Sequence, residues 1–188
     1  MEYETDEKLL NIIKKQAKIN LEIKEREVNN MTVINNVKKI CSFYTSEWHL
    51  IAMLLPNLNE KINKGIKITT ISEKNLQNKI EELMNKINIE NKNKILKIGW
   101  NYIDIYNKEI MEEKIKNNDC IFIIGKRKFI KNVNKLINEF NLGEKILTII
   151  DCYQLDEIKN VLPEILQDYN TIINTSGEKL KEEYVSKI

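Results

Sequence analysis

CIFIIG, residues 120–125, is the most continuously apolar run in the chain, and its reading decides the fold. Cys120 to Ile124 show no polar alternation, so both faces of this strand need cover, as in a central strand of a parallel sheet with helices on either side. Beyond Gly125 a helical pattern covers residues 128–140 and closes at 141–143, and a second apolar strand follows over 146–153 (ILTIIDCY). Two strands joined by a connection of this length predict a βαβ unit.

The alternation continues in both directions. Upstream, residues 37–44 (VKKICSFY) read as a strand, and Thr45-Ser46-Glu47 caps a helix over 46–63 whose buried face is Leu50, Met53, Leu54, Leu58 and Ile62. Pro56 predicts a kink in that helix near Ala52 and Met53, and Gly65 ends it. Residues 66–72 (IKITTIS) form a second strand and 75–87 a helix; 95–100 (ILKIGW) form a third strand and 108–117 a polar helix. Downstream, a helix over 157–169 interrupted by Pro163 leads to a last short strand over 171–175 (TIINT). The expectation is an α/β three-layer sandwich with a mostly parallel sheet of five or six strands, occupying residues 31–188.

Residues 1–30 read as a separate N-terminal helix with Leu9, Ile13, Ala17 and Leu21 at four-residue spacing. That stripe either docks on the main domain or pairs with the same helix of a second copy in a homodimer. The pattern is too short and too broken for a sustained coiled coil.

Composition narrows the function classes. Thirty basic and 28 acidic residues are interspersed and leave a net charge of +2, so no long-range field of one sign arises. Arg26 and Arg127 are the only arginines, where base readout and bidentate phosphate contacts favour that side chain. Both features argue against a dedicated nucleic-acid binder. Cys41, Cys120 and Cys152 are odd in number and form no Cys-x-x-Cys pair, which fits buried free thiols in a reducing compartment rather than a zinc site. No apolar run approaches the roughly 20 residues needed to span a bilayer. Together these predict a cytoplasmic protein without metal or cofactor.

In open parallel sheets, ligands bind beyond the carboxyl ends of the strands. That rule selects Tyr44, Ser46, Glu47, Trp48 and His49 after the first strand and Trp100 after the third. It further selects Lys126 and Arg127 after the fourth strand, Asp151 and Tyr153 at the fifth, and Ser176 after the last. The aromatic members either wall a pocket at this rim or pack in the core. His49, the only histidine, excludes multi-histidine metal chemistry and is either a cap or a ligand contact. Lys126-Arg127-Lys128 either holds an anion at a helix start or is simply solvated. Neither Gly-x-x-x-x-Gly-Lys-Ser/Thr nor Gly-x-Gly-x-x-Gly occurs, and the first turn places the carboxylate of Glu47 where phosphate would bind. No standard route to nucleotide hydrolysis is therefore encoded.

Phe43-Tyr44, Ser46-Glu47, Leu50, Leu54-Leu55-Pro56, Leu58 and Gly65 resemble the opening of the MEDS sensory domain. Ile150-Asp151-Cys152-Tyr153, followed by a helix and Thr171-Ile172-Ile173, is similar to its close. The resemblance implies a degenerate RecA/Rossmann-like module lacking a functional phosphate loop and a regulatory role. The leading expectation is a non-enzymatic sensory domain that binds a small ligand or partner protein at the carboxyl edge of the sheet. The alternatives are an interaction protein assembling through its N-terminal helix, and a degenerate nucleotide-binding enzyme.

Overall fold

The computed structural model describes residues 37–140, 145–174 and 176–182, so the expected N-terminal helix with Leu9, Ile13, Ala17 and Leu21 lies outside the described residues. The apolar runs become strands as their patterns require: β1 (Val37–Tyr44), β2 (Ile68–Ser72), β3 (Cys120–Gly125), β4 (Leu147–Gln154) and β5 (Thr171–Asn174), followed by β6 (Gly177–Leu180). They form one six-stranded sheet in the order β2-β3-β4-β1-β5-β6, parallel throughout except for the β5–β6 hairpin. All six residues of β3 are buried, as its uninterrupted hydrophobicity demands.

Successive strand residues feed two separate cores. On one face Ile40, Tyr44, Phe122, Ile124, Ile150 and Cys152 pack against three helices: α1 (Glu47–Asn63), α2 (Gln77–Lys86) and α3 (Lys92–Leu96). On the other, Cys41, Phe43, Ile121, Ile123, Ile149 and Tyr153 meet α4 (Lys108–Asn117), α5 (Arg127–Glu139), the single turn α6 (Leu155–Ile158) and α7 (Leu162–Gln167). The result is a Rossmann/RecA-like three-layer sandwich. Each fully buried Ile or Leu contributes about 2 kcal/mol relative to exposure, so the two faces carry most of the stabilisation.

Three expectations need correction. Residues 95–100 are not a strand: Lys92–Leu96 is the helix α3, with Ile95 buried against α1 and α2, and the edge of β2 is met instead by a single parallel bridge between Ser72 and Tyr102. The predicted helix over 157–169 is split into α6, a 3-10 turn over Lys159–Val161 and α7, and Pro163 sits in the first turn of α7, where its missing N–H costs nothing. The chain also does not end its sheet at β5, since Gly177, at φ +100°, turns it back into antiparallel β6. In α1, Pro56 lies within the helical span and offers no N–H to the carbonyl of Ala52, which is on the exposed side.

Candidate functional site

The connection after β1 runs to β2 over one face, while the connection after β4 runs to β5 over the other, so the topological switch point falls between the carboxyl ends of β1 and β4. The chain's own side chains occupy this rim. Ser46 caps α1, its hydroxyl accepting from the His49 amide at 3.2 Å, and His49 Nδ1 accepts from the Thr45 amide at 3.2 Å. Glu47, in the first turn, is bonded to Lys79 and lies 3.6 Å from Lys74. The hydrogen bond from Lys79 holds its carboxyl below the usual range despite some burial. Lys74 in turn donates to Gln154 at the end of β4, at 3.3 Å.

The start of α5 is closed in the same way. Glu73 accepts from the Lys126 amide at 2.7 Å, and a Cβ on Gly125 would lie 2.8 Å from the same carboxylate oxygen. Two helix starts that could attract an anion already hold carboxylates of this chain.

The residues selected from the sequence therefore divide. Ser46, Glu47 and His49 share the rim, but Trp48 is 41% exposed on α1, and Ser176 lies in the exposed β5–β6 turn, bonded to Asn174. Tyr44 and Trp100 do not wall a pocket. Both are buried among α1, α2 and α3, and the Trp100 indole donates to the Ile95 carbonyl at 2.8 Å. Asp151 and Tyr153 project from β4 to the opposite face, and Arg127 lies on α5 on that side. A single rim of aromatic and charged groups is thus corrected to two sites on opposite faces. Lys126 is exposed and 3.9 Å from Glu157.

The second site is a cleft of about 350 Å³ lined by Lys39, Arg127, Lys131, Asn134, Lys135, Asn138, Tyr153, Ile165, Asp168 and Tyr169. Its floor is a polar network. Asp151 is fully buried, with Cys41 and Ile123 as its neighbours in register on β1 and β3. Its carboxylate accepts from Asn134 Nδ2 at 3.0 Å and from the Tyr169 hydroxyl, and the Tyr169 and Tyr153 hydroxyls are 2.8 Å apart. Burial pushes Asp151 up to about 6, against the opposing pull of the Tyr169 and Asn134 hydrogen bonds and of Lys39. Phe43 stacks on Tyr153 at 6.1 Å between ring centroids, and Tyr169 meets Tyr153 edge-on at 6.3 Å, fixing the floor from both sides.

No model of a known family matches the chain, and no curated protein matches it.

Sequence reasoning missed Lys39, Lys131, Asn134, Lys135 and Tyr169. One signal was available: Arg127, Lys131, Asn134, Lys135 and Asn138 recur along a single face of α5, beside the apolar stripe of Ile130, Val133 and Ile137. The cysteines take no part. Burial pushes the Cys41 and Cys120 thiols up to about 12 and Cys152 in the same direction, so all three stay protonated at neutral pH. Among the described residues no group of His, Cys, Asp and Glu is placed to hold a metal ion, and no helix is long and apolar enough to cross a membrane.

Proposed function

We propose that this chain is a regulatory or sensory domain that binds a small molecule without transforming it, and that it works in the cytoplasm. The observation that carries the reading is the contrast in occupancy between its two polar sites. The rim, where a nucleotide phosphate would sit, is filled by Glu47 with its two lysines, whereas the cleft beside α5 is open over a buried hydrogen-bonded floor. The resemblance to the MEDS sensory domain supports the same role, because it joins a RecA-like sheet to signalling without a phosphate loop.

A thermal-shift screen of the full chain against metabolites, with ATP and GTP included, tests it. A ligand at a hundredfold excess over its Kd adds about 2.7 kcal/mol. For a chain of this size that is a rise of at least about 5 °C in Tm. The expected result is such a rise with at least one metabolite and none with either nucleotide. Nucleotide binding at the rim, or hydrolysis, would replace this reading with that of a degenerate nucleotide enzyme.

A further inference from the structure

The cleft is unbalanced in charge. Lys39 enters it from β1, and Arg127, Lys131 and Lys135 from α5, against the exposed carboxylates of Asp168 and of Glu164, which pairs with Arg127, and the buried Asp151 beneath. Lys39, Lys131 and Lys135 make no ion pair among the described residues, and Arg127 bonds only through Nη2, to Glu164 at 2.8 Å. Every lysine of the rim cluster, by contrast, has a carboxylate partner.

A second, independent observation points to a guest. Arg127 Nε is buried with no hydrogen-bond partner, and so is Oδ1 of Asn134, a residue only 9% exposed; both side chains line the cleft. Buried polar atoms without partners are uncommon in folded proteins, because each one costs its full desolvation. Arg127 Nε is a donor without an acceptor, on a side chain that lines the cleft together with Lys39, Lys131 and Lys135. The volume is near the lower end of the roughly 300–1,000 Å³ usual for small-ligand sites, which suits a metabolite of a few carbons.

We propose that this cleft binds a small oxyanion, a carboxylate or phosphate metabolite, held by Arg127 and by Lys39, Lys131 and Lys135 above the Tyr153–Tyr169 floor. The proposal rests on the sensory reading and specifies its ligand. Asp151 supports it as a positioning residue. Its carboxylate fixes the Tyr169 hydroxyl and the Asn134 amide from below.

The chain has two arginines, so the Nε–H resonance of Arg127 can be assigned in a two-dimensional nitrogen–proton NMR spectrum by its disappearance in Arg127→Lys. Inorganic phosphate, succinate and malate are titrated separately into the full chain, up to concentrations where salt screening dominates. A saturable shift of that resonance with at least one probe is expected, and the probe that acts separates phosphate from carboxylate. The double variant Lys131→Glu/Lys135→Glu should weaken binding roughly tenfold or more, while Lys108→Glu/Lys116→Glu, the same charge change on α4, should leave it unaltered. Dispersed spectra establish that each variant is folded. Absence of saturation with every probe, or equal weakening by both double variants, overturns the proposal. If uncharged sugars or amides shift Arg127 while the anions do not, the oxyanion assignment falls and the sensory reading stands; if neither class does so, both fall.

Discussion

The rim at the ends of β1 and β4 and the cleft beside α5 are both built from lysines and carboxylates, yet they are opposites. At the rim each charge meets a partner encoded nearby: Glu47 takes Lys79 and Lys74, and Glu73 takes the amide of Lys126, which precedes α5. In the cleft the buried carboxylate of Asp151 is committed to Asn134 and Tyr169, and the lysines above it make no ion pair among the described residues. Matched pairs at a surface give little stability, while unmatched groups gathered in a cleft mark a candidate binding site. The same ingredients thus close one site and open the other, and the difference lies in which partners the chain supplies itself.

The contrast is broken most severely at the cleft floor. Asp151→Ala leaves the Tyr169 hydroxyl and the Asn134 amide buried without their acceptor, and urea denaturation should show a loss of about 4 kcal/mol. A loss under about 1 kcal/mol would mean that the network does not organise the floor.

Asp151→Asn, nearly isosteric, sharpens the point through pH. Because burial raises the carboxyl from 3.8 to about 6, the protonated form is favoured in the folded state. The stability linked to it is fully present below 3.8 and is lost as pH rises through about 6. The span corresponds to about 3 kcal/mol. Wild-type stability should fall relative to Asp151→Asn across that interval, and parallel pH profiles would show that the carboxyl is not so perturbed. Glu178 on β6 behaves in reverse. Partial burial raises it, but hydrogen bonds from Lys61 and Lys38 outweigh this and bring it to about 2, so its contribution is present above the ordinary carboxylate value and disappears on acidification. Glu178→Gln should remove that acid limb alone.

Gly125 lies between the two regions. A Cβ there would come within 2.7 Å of Phe129 on α5 and 2.9 Å of Glu73 Cβ, so Gly125→Ala should cost about 2 kcal/mol and speed hydrogen exchange at the Lys126 amide, which Glu73 now holds. The smallest effect belongs to the rim itself. Glu47→Gln removes an exchangeable surface partner and should cost under about 1 kcal/mol at neutral pH. A larger cost would show that the rim carries stability as well as occupancy.

The layered fold was legible because burial on two faces leaves an unmistakable mark. CIFIIG and ILTIIDCY have no polar side to give to water, and both became interior strands of the sheet. ILKIGW was misread because a short apolar run suits a buried helix as well as a strand, and packing of Ile95 against α1 and α2 decided the matter. GEKL, residues 177–180, gave no signal, since an edge strand with Glu178 and Leu180 exposed needs no apolar alternation. At the site, Arg127, Asp151 and Tyr153 were found because strand ends were inspected. Lys39 and Tyr169 were not: they reach the cleft only through the order β4-β1-β5, which depends on long-range pairing.

The reversal at Gly177 sets how the module is wired. β1 begins at the amino edge of the sheet, and β6, running backwards with Leu180 opposite Thr171, returns the backbone to that same edge. The junctions at Val37 and Glu182 therefore both lie at the pole away from the Glu47 rim. Fusions or labels attached through either junction start at the far pole from that rim.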